Sequence, residues 1–149
     1  GCEFTSISAF RSKRSDARVA PVVMVLETGD GQLVTIEINN NAAYGYDVRS
    51  ELVGEAGSIA MNTVAYSRTD LKLASSTRYD TDWRARYAEA YRRQNRDFLR
   101  FAQTGVFSDI GSNCWDGYCA AIVAEAGVKA LAGGEKTPIT LMSKPELYA

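Results

Sequence analysis

The sequence contains no histidine among its 149 residues. Histidine is the commonest side chain for general acid–base catalysis and the commonest metal ligand in proteins. Its absence excludes Ser-His and Cys-His nucleophilic schemes within this chain. The carboxylates noted in the sequence are scattered, and each is typical of a helix cap or an ion-pair partner. We therefore expect neither a catalytic residue nor a metal site in this chain.

Nucleotide-binding signatures are also missing. There is no G-x-G-x-x-G run, and a strand pattern rather than a helix follows Gly54-x-x-Gly57, so these glycines predict a turn and not a phosphate cradle. The net charge of −1 gives the chain no general attraction to nucleic acid or to an anionic membrane. No run of about 18 apolar residues and no signal-peptide pattern occurs, and we expect a cytoplasmic protein.

Cysteine is scarce and odd in number, with three residues. Cys114 and Cys119 are five apart in a helical pattern, roughly 140° around the axis, so we expect neither a disulfide nor a metal pair. We interpret them as buried thiols in a reducing compartment. The apolar fraction of 46% and the chain length fit one globular domain over residues 3–141, followed by a tail over 142–149.

The first half of the sequence has the patterns of β-strands. A β-prone run covers 3–10, a nearly continuous apolar run over 21–27 predicts a central strand, and apolar residues alternate over 32–39. Residues 47–62 predict a hairpin turning at 54–57, from which we expect the sheet to be built outward. Further strands are predicted over 71–77 and 138–141.

The second half has a helical period. Asp82 is a good N-cap for a helix over 83–104 that Gly105 ends. Ser112 can cap a second helix from about 113 to 131, which Gly133 and Gly134 end.

This order predicts an α+β fold, with an open-faced, largely antiparallel sheet of five to six strands and two helices on one face. The run VVMVL over 22–26 has no polar side, so the uncovered sheet face should be buried by another copy of the chain. We therefore predict a homo-oligomer that forms by sheet-on-sheet packing.

Three aromatic residues have two interpretations. Tyr46 lies at a loop edge, and Trp83 and Tyr91 are eight apart, on nearly one face of the first helix. They either pack that helix on the sheet or form a partly exposed wall, against which a polyol or sugar ring lies while hydroxyl and indole groups bind its hydroxyls.

Five motifs in order resemble the C-terminal domain of the Gfo/Idh/MocA oxidoreductases, and within them the inositol 2-dehydrogenases. They are YGYDVR at 44–49, ELVGEAG at 51–57, DWRARYAEAY at 82–91, FLRF at 98–101 and DGYCAA at 116–121. The resemblance extends from Glu3 to about Ile139.

The resemblance implies that the parent is a two-domain, NAD-dependent enzyme that oxidises a polyol hydroxyl. Its N-terminal Rossmann domain, the catalytic Asp and His and a lysine would lie outside this chain, which looks like a piece cut from something longer. By family position Tyr46, Trp83 and Tyr91 line the inositol site, with Tyr44 and Asn41 nearby. The chain would bind no NAD itself, would be inactive alone, and would form the substrate wall and oligomer interface of a tetramer.

Two alternatives keep the same fold. The first is a stand-alone ligand-binding or assembly domain with no Rossmann domain in its gene. The second is a domain of an NAD-dependent glycosidase of the same family, because one fold can host several sugar-ring chemistries.

Overall fold

The computed structural model describes residues 3–13, 21–61 and 68–148. Within these ranges the chain forms eight strands, two α-helices and one 3₁₀-helix, in the following order: β1 (Phe4–Arg11), β2 (Val22–Thr28), β3 (Leu33–Ile38), β4 (Glu51–Gly54), β5 (Gly57–Ala60), β6 (Arg68–Leu71), β7 (Ala74–Thr77), α1 (Trp83–Thr104), α2 (Cys114–Gly133), β8 (Thr137–Pro138) and η1 (Glu146–Tyr148). The chain divides into two compact units, 1–41 with 109–149 and 42–108. The assignment of 3–141 to one domain stays a prediction.

The first unit is a four-stranded antiparallel sheet with helix α2. The strand order is β3-β2-β1-β8, so the apolar strand β2 is central, as predicted, and the short strand β8 lies at an edge. Helix α2 packs on the sheet through β1 and β8. The buried core lies between them and consists of Ile7, Ala9, Leu26, Ala126, Ala130 and Ile139.

Small residues let α2 approach the sheet closely. A Cβ added at Gly127 would lie 3.3 Å from Ile7 Cδ1, which is tighter than ordinary van der Waals contact. Ile7 itself is fully buried. Glycine at position 127 therefore permits close packing of this helix on the sheet.

The start of α2 differs by one residue from the prediction. Asn113 rather than Ser112 is the N-cap: its Oδ1 accepts hydrogen bonds from the backbone N–H groups of Trp115 (2.8 Å) and Asp116 (3.2 Å). Asp116 Oδ2 accepts in return from the Asn113 N–H at 2.8 Å, which completes a capping box. Gly134, in the left-handed region at φ 71°, ends the helix.

The sheet face opposite α2 has a mixed composition. On this face, three cross-strand rows each combine one residue from β1, β2 and β3. In that strand order, the rows are Phe10, Val23 and Glu37; Ser8, Val25 and Thr35; and Ser6, Glu27 and Leu33. Phe10 and Leu33 are well exposed. The expectation of an apolar face came from β2 alone and is wrong for the whole face, because the neighbouring strands β1 and β3 bring serine, threonine and glutamate alongside its valines.

Glu27 gives the first unit a pH-dependent contribution to stability. Its Oε2 accepts hydrogen bonds from Lys136 Nζ and from Ser6 Oγ, and these bonds, the lysine's first, lower the pKa of Glu27. A carboxyl whose pKa is lower in the folded state stabilises the protein fully above its unfolded pKa, about 4.3, and loses that contribution as the pH falls through its folded pKa. In urea unfolding, we expect the stability difference between the wild type and Glu27→Gln to be largest near pH 6 and to shrink as the pH falls below about 4.3. A difference that stays constant over this range would contradict the prediction.

The second unit contains two separate hairpins and helix α1. Strands β4 and β5 pair with each other, and so do β6 and β7, each as a two-stranded sheet. The turn at 54–57 is confirmed, but its hairpin is not the centre from which the main sheet is built. Residues 47–50 are not strand, and the predicted end of the hairpin at Asn62 lies outside the described residues. The α+β class, the antiparallel pairing and the two helices are confirmed, whereas one sheet of five to six strands is wrong.

The single strand predicted over 71–77 is instead the end of β6, a turn at Lys72 and Leu73, and strand β7. Lys72 and Leu73 have φ angles of 50° and 64°, the pair of positive values that a tight I′ hairpin turn requires. This turn ordinarily carries Asn-Gly, so the residue types at 72 and 73 do not indicate it.

Helix α1 begins and ends where the sequence predicts. The Asp82 side chain accepts from the Arg84 N–H at 2.8 Å, and the Gly105 N–H donates to the Phe101 carbonyl at 2.8 Å from a left-handed conformation. Of the two helices, α2 covers the main sheet and α1 belongs to the other unit. Two helices were predicted on one face of the sheet. Within the first unit, the helix that packs on the sheet is α2.

Candidate aromatic substrate wall

Four of the five predicted site residues belong to the second unit. They are Tyr44, Tyr46, Trp83 and Tyr91; Asn41 falls in the first unit. The backbone N–H of Asn41 donates to Asn39 Oδ1 at 3.0 Å, which is a local turn contact. The structure therefore groups the aromatic residues in one unit and leaves the role of Asn41 as a prediction.

The loop that carries Tyr44 and Tyr46 is fixed by a backbone contact. The Tyr46 N–H donates to the Asp80 carbonyl at 2.8 Å, in an isolated antiparallel bridge. Between the two tyrosines, Gly45 has φ 123°, and a Cβ there would lie 2.8 Å from Asp80 O and 2.9 Å from Tyr79 Cβ. Only glycine satisfies both constraints, so the Tyr-Gly-Tyr order is needed to hold the loop against the segment that precedes α1.

Trp83 and Tyr91 form a ring pair on α1. Their centroids are 5.2 Å apart and their planes are inclined by 47°. Trp83 is 44% exposed and Tyr91 is 47% exposed. Fully buried core aromatics would not show such values, so the pair is partly exposed within its unit, and its role as a substrate wall stays a prediction.

The two loop tyrosines each contact a second tyrosine that the sequence analysis did not select. Tyr46 meets Tyr87 of α1 edge to face, with centroids 6.4 Å apart, and Tyr44 meets Tyr79 at 5.1 Å with an angle of 61°. Tyr87 could have been found, because it lies midway between Trp83 and Tyr91 on the same helix face. Tyr79 could not have been found in this way, because it lies between β7 and α1 and no other site residue is related to it by a helical or strand spacing.

A charge cluster formed by the side chains of Asp47, Arg49 and Arg86 adjoins this loop. The Asp47 side chain is 5% exposed and the Arg86 side chain 8%, with Asp47 Oδ1 and Arg86 Nη1 3.9 Å apart. Arg86 Nη2 donates to the Val48 carbonyl at 2.6 Å. Arg49 Nε donates to Asp47 Oδ2 at 2.7 Å, and this bond raises the pKa of the Arg49 guanidinium. The sequence does not indicate Asp47 and Arg86 as site residues, because no helical or strand periodicity relates position 47 to position 86.

A cavity of about 720 Å³ opens beside Tyr44 and Tyr79 in the same unit. The rest of its lining is polar and comes from the second hairpin and the segment after it: Thr69, Ser76, Thr77 and Arg78. Hydroxyl and guanidinium groups beside aromatic rings are suited to hydrogen-bonding a polyhydroxylated ligand.

The described residues include no cluster of three or more His, Cys, Asp or Glu side chains that could hold a metal ion. Cys114 and Cys119 are free. The interpretation as a buried thiol is wrong for Cys114, which is exposed, whereas Cys119 is partly buried. Burial, followed by the charges of Glu3 and Asp116, raises the pKa of the Cys119 thiol. Among the helices of the described ranges, none is long and apolar enough to cross a membrane.

Among proteins of known sequence, the chain is similar to inositol dehydrogenases. The chain is 41% identical over 138 residues to inositol 2-dehydrogenase 1 of Saccharopolyspora erythraea, covering 92% of this chain and 40% of that protein. It is 38% identical over 146 residues to the inositol 2-dehydrogenase of Acidiphilium cryptum, covering 95% of this chain and 42% of that protein. The chain thus spans about two-fifths of the length of these relatives. No family model matches the sequence.

Solved structures show the same relationship. The myo-inositol dehydrogenase of Lactobacillus casei, determined with NAD(H) and myo-inositol, superposes with a TM-score of 0.86 at 26% identity, over 99% of this chain and 45% of that one. In fold and in sequence the chain therefore matches the C-terminal part of dehydrogenases of the Gfo/Idh/MocA type. The proteins that it matches are inositol dehydrogenases, and the resemblance inferred from the motifs is confirmed.

Proposed function

We propose that this chain is the substrate-wall and assembly part of an NAD-dependent enzyme that oxidises a hydroxyl of inositol or a related polyol to a ketone. The supporting observation is the similarity over nearly the whole chain to proteins named inositol 2-dehydrogenases. The parent's nucleotide-binding domain, with a His-Asp pair and a lysine, would remove the hydroxyl proton and stabilise the developing alkoxide. When bound there, NAD supplies the hydride acceptor.

The residues of this chain bind and orient the substrate in the proposal. The exposed rings of Trp83 and Tyr91 pack on the C–H face of the polyol, while the hydroxyls of Tyr44 and Tyr46 hydrogen-bond its hydroxyl groups. Asn41 would contribute from the neighbouring segment. The chain contributes no cofactor contact of its own in this scheme.

The test compares the chain alone with a polypeptide that also carries the nucleotide-binding domain. We expect the longer protein to reduce NAD with myo-inositol and the 149-residue chain to show neither turnover nor NAD binding. Inositol oxidation by the chain alone would overturn the division of roles, and a longer protein that oxidises no polyol would overturn the function.

The role of the wall can be tested with Trp83→Ala in the longer protein. Loss of one stacked ring removes about 1 kcal/mol of packing beyond area burial, so we expect KM for inositol to rise roughly fivefold to tenfold with KM for NAD unchanged. The matched control is Phe98→Ala, which removes an exposed aromatic ring of the same helix outside the proposed wall. Equal effects of the two variants would argue against the wall.

We further propose that the sheet face opposite α2 joins copies of the chain, as a tetramer. The exposed side chains of Phe10, Val23 and Leu33 on that face support association. The polar residues between them fit an interface that is only partly apolar.

Val23→Arg tests this association. A long charged side chain on the central strand should shift the sedimentation coefficient towards smaller species, because burying its charge in an interface costs desolvation even beside Glu37. Val128→Arg is the control, since Val128 lies on the exposed side of α2 and is 65% exposed. A wild-type monomer at high protein concentration in analytical ultracentrifugation would contradict the proposal itself.

A further inference from the structure

Asp47 and Arg86 connect the loop of Tyr44 and Tyr46 to helix α1. Asp47 follows Tyr46 directly in the sequence, and Arg86 precedes Tyr87, the ring that contacts Tyr46. Both charged side chains are more than nine-tenths buried. The Arg86 hydrogen bond to the Val48 carbonyl attaches the loop backbone to the helix at 2.6 Å.

Two branches run from this pair to the proposed substrate wall. In the first, Arg49 binds Asp47 through Nε and reaches the Tyr79 hydroxyl through Nη2 at 3.3 Å, and the Tyr79 ring packs against Tyr44. In the second, the Arg86 guanidinium carbon lies 5.6 Å from the Tyr87 ring centroid, and Tyr87 packs against Tyr46. Both loop tyrosines therefore have a ring neighbour that the charge cluster contacts.

The pair is not built for stability alone. Asp47 Oδ1 is buried, and in the described part of the chain no donor comes within hydrogen-bond distance of it. Arg86 Nη1 lies 3.9 Å from this oxygen, within ion-pair range but too far for a hydrogen bond. A buried carboxylate with one unsatisfied oxygen is unfavourable, and apolar residues of similar volume would often serve as well or better for stability.

We infer that Asp47 and Arg86 are positioning residues, which fix the rings of Tyr44 and Tyr46 in the orientation that binds the polyol. The inference rests on the proposed function. A binding constellation must be held within about 0.5 Å by the residues behind it, and a misplacement of about 1 Å can cost roughly a hundredfold in rate. A buried ion pair that also binds the loop backbone supplies such a restraint.

The test uses Asp47→Asn in the full-length protein, because asparagine keeps the shape of aspartate and removes its charge. The matched control is Asp70→Asn, which makes the same change in the exposed pair of Asp70 with Arg68. The positioning role predicts about a tenfold rise in KM for myo-inositol in Asp47→Asn, with KM for NAD unchanged, because the displaced rings lose contacts with the bound polyol. Asp70→Asn should keep wild-type kinetics.

A measurement without substrate separates this inference from the proposed function. This chain contains eight tyrosines, which can be labelled as 3-fluorotyrosine and assigned by single Tyr→Phe variants. In ¹⁹F NMR we expect the Tyr44 and Tyr46 resonances to shift or broaden in Asp47→Asn, whereas those of Tyr118 and Tyr148 stay in place.

The outcomes are distinct. Unchanged Tyr44 and Tyr46 resonances overturn the inference, and so do shifted resonances with an unchanged KM, since the ring orientation would then not matter for binding. A lower yield of folded protein with normal kinetics also overturns it, because it shows a purely structural role. If the wild type oxidises no polyol, the proposed function fails, while the NMR result still decides whether the charge pair orients the rings.

Discussion

Leu26→Ala should lower the free energy of unfolding by about 2–5 kcal/mol, the range for a leucine truncated in a packed core. Leu26 has no exposed surface and lies on the central strand β2, paired with Ile7 on β1 and Val34 on β3. The loss has two parts, the transfer free energy of the removed carbons and the cavity that remains between sheet and helix. Urea unfolding followed by circular dichroism measures the change.

Leu147→Ala is the control for this prediction. It removes the same atoms from a side chain that is 84% exposed in η1 of the same unit, and surface substitutions usually change stability by less than about 0.5 kcal/mol. The effect of Leu26→Ala should appear in the midpoint and not in the slope of the unfolding curve. Comparable losses for both variants would show that Leu26 is not the centre of the core.

The elements that the sequence predicted well are those whose signals are local. Helix α1 was placed from Trp83 to Thr104 because its cap, its period and its terminal glycine all lie within the segment. The central position of β2 followed from its continuous apolar composition. In α2 the error of one residue at the cap arose because Ser112 and Asn113 are both good N-caps, and the capping box with Asp116 decides between them.

The errors concern the pairing of strands with distant segments and one turn whose residue types do not indicate it. Nothing in the sequence of β4 and β5 shows that they pair only with each other, because their apolar residues would also suit a large sheet. The turn at Lys72 and Leu73 was missed since both residues have side chains that ordinarily avoid positive φ. Strand patterns identify strands, but their partners depend on packing across the whole unit.

The candidate site divides in the same way. Trp83 and Tyr91 were found from their spacing on one helix, and the structure places their rings 5.2 Å apart. The contact of Asp47 with Arg86 joins residues that are distant in the sequence, which no periodicity reveals. Folding buries the carboxylate of Asp47, next to Tyr46, and places it opposite the buried guanidinium of Arg86.

Arg86→Met should destabilise the protein by about 3 kcal/mol, because it removes the cation facing a carboxylate that is only 5% exposed. Breaking a buried ion pair typically costs about 3–5 kcal/mol, since the remaining charge is left uncompensated. The lower end applies here because Arg49 still binds Asp47 Oδ2. Methionine keeps most of the apolar volume of the arginine stem, so the loss reports the charge and the bond to Val48 rather than a cavity.

The control and a double variant make this prediction specific. Arg92→Met removes a cation from the same helix, where the side chain is 71% exposed beside Glu89, and should change stability by less than about 0.5 kcal/mol. Adding Asp47→Asn to Arg86→Met removes the stranded charge, so the double variant should be more stable than Arg86→Met alone. Urea unfolding at pH 7 measures all three. If the added Asp47→Asn substitution brings no recovery, Asp47 and Arg86 do not interact as a buried pair, and the restraint on the tyrosine loop must come from the backbone bond to Val48 and the glycine between the rings.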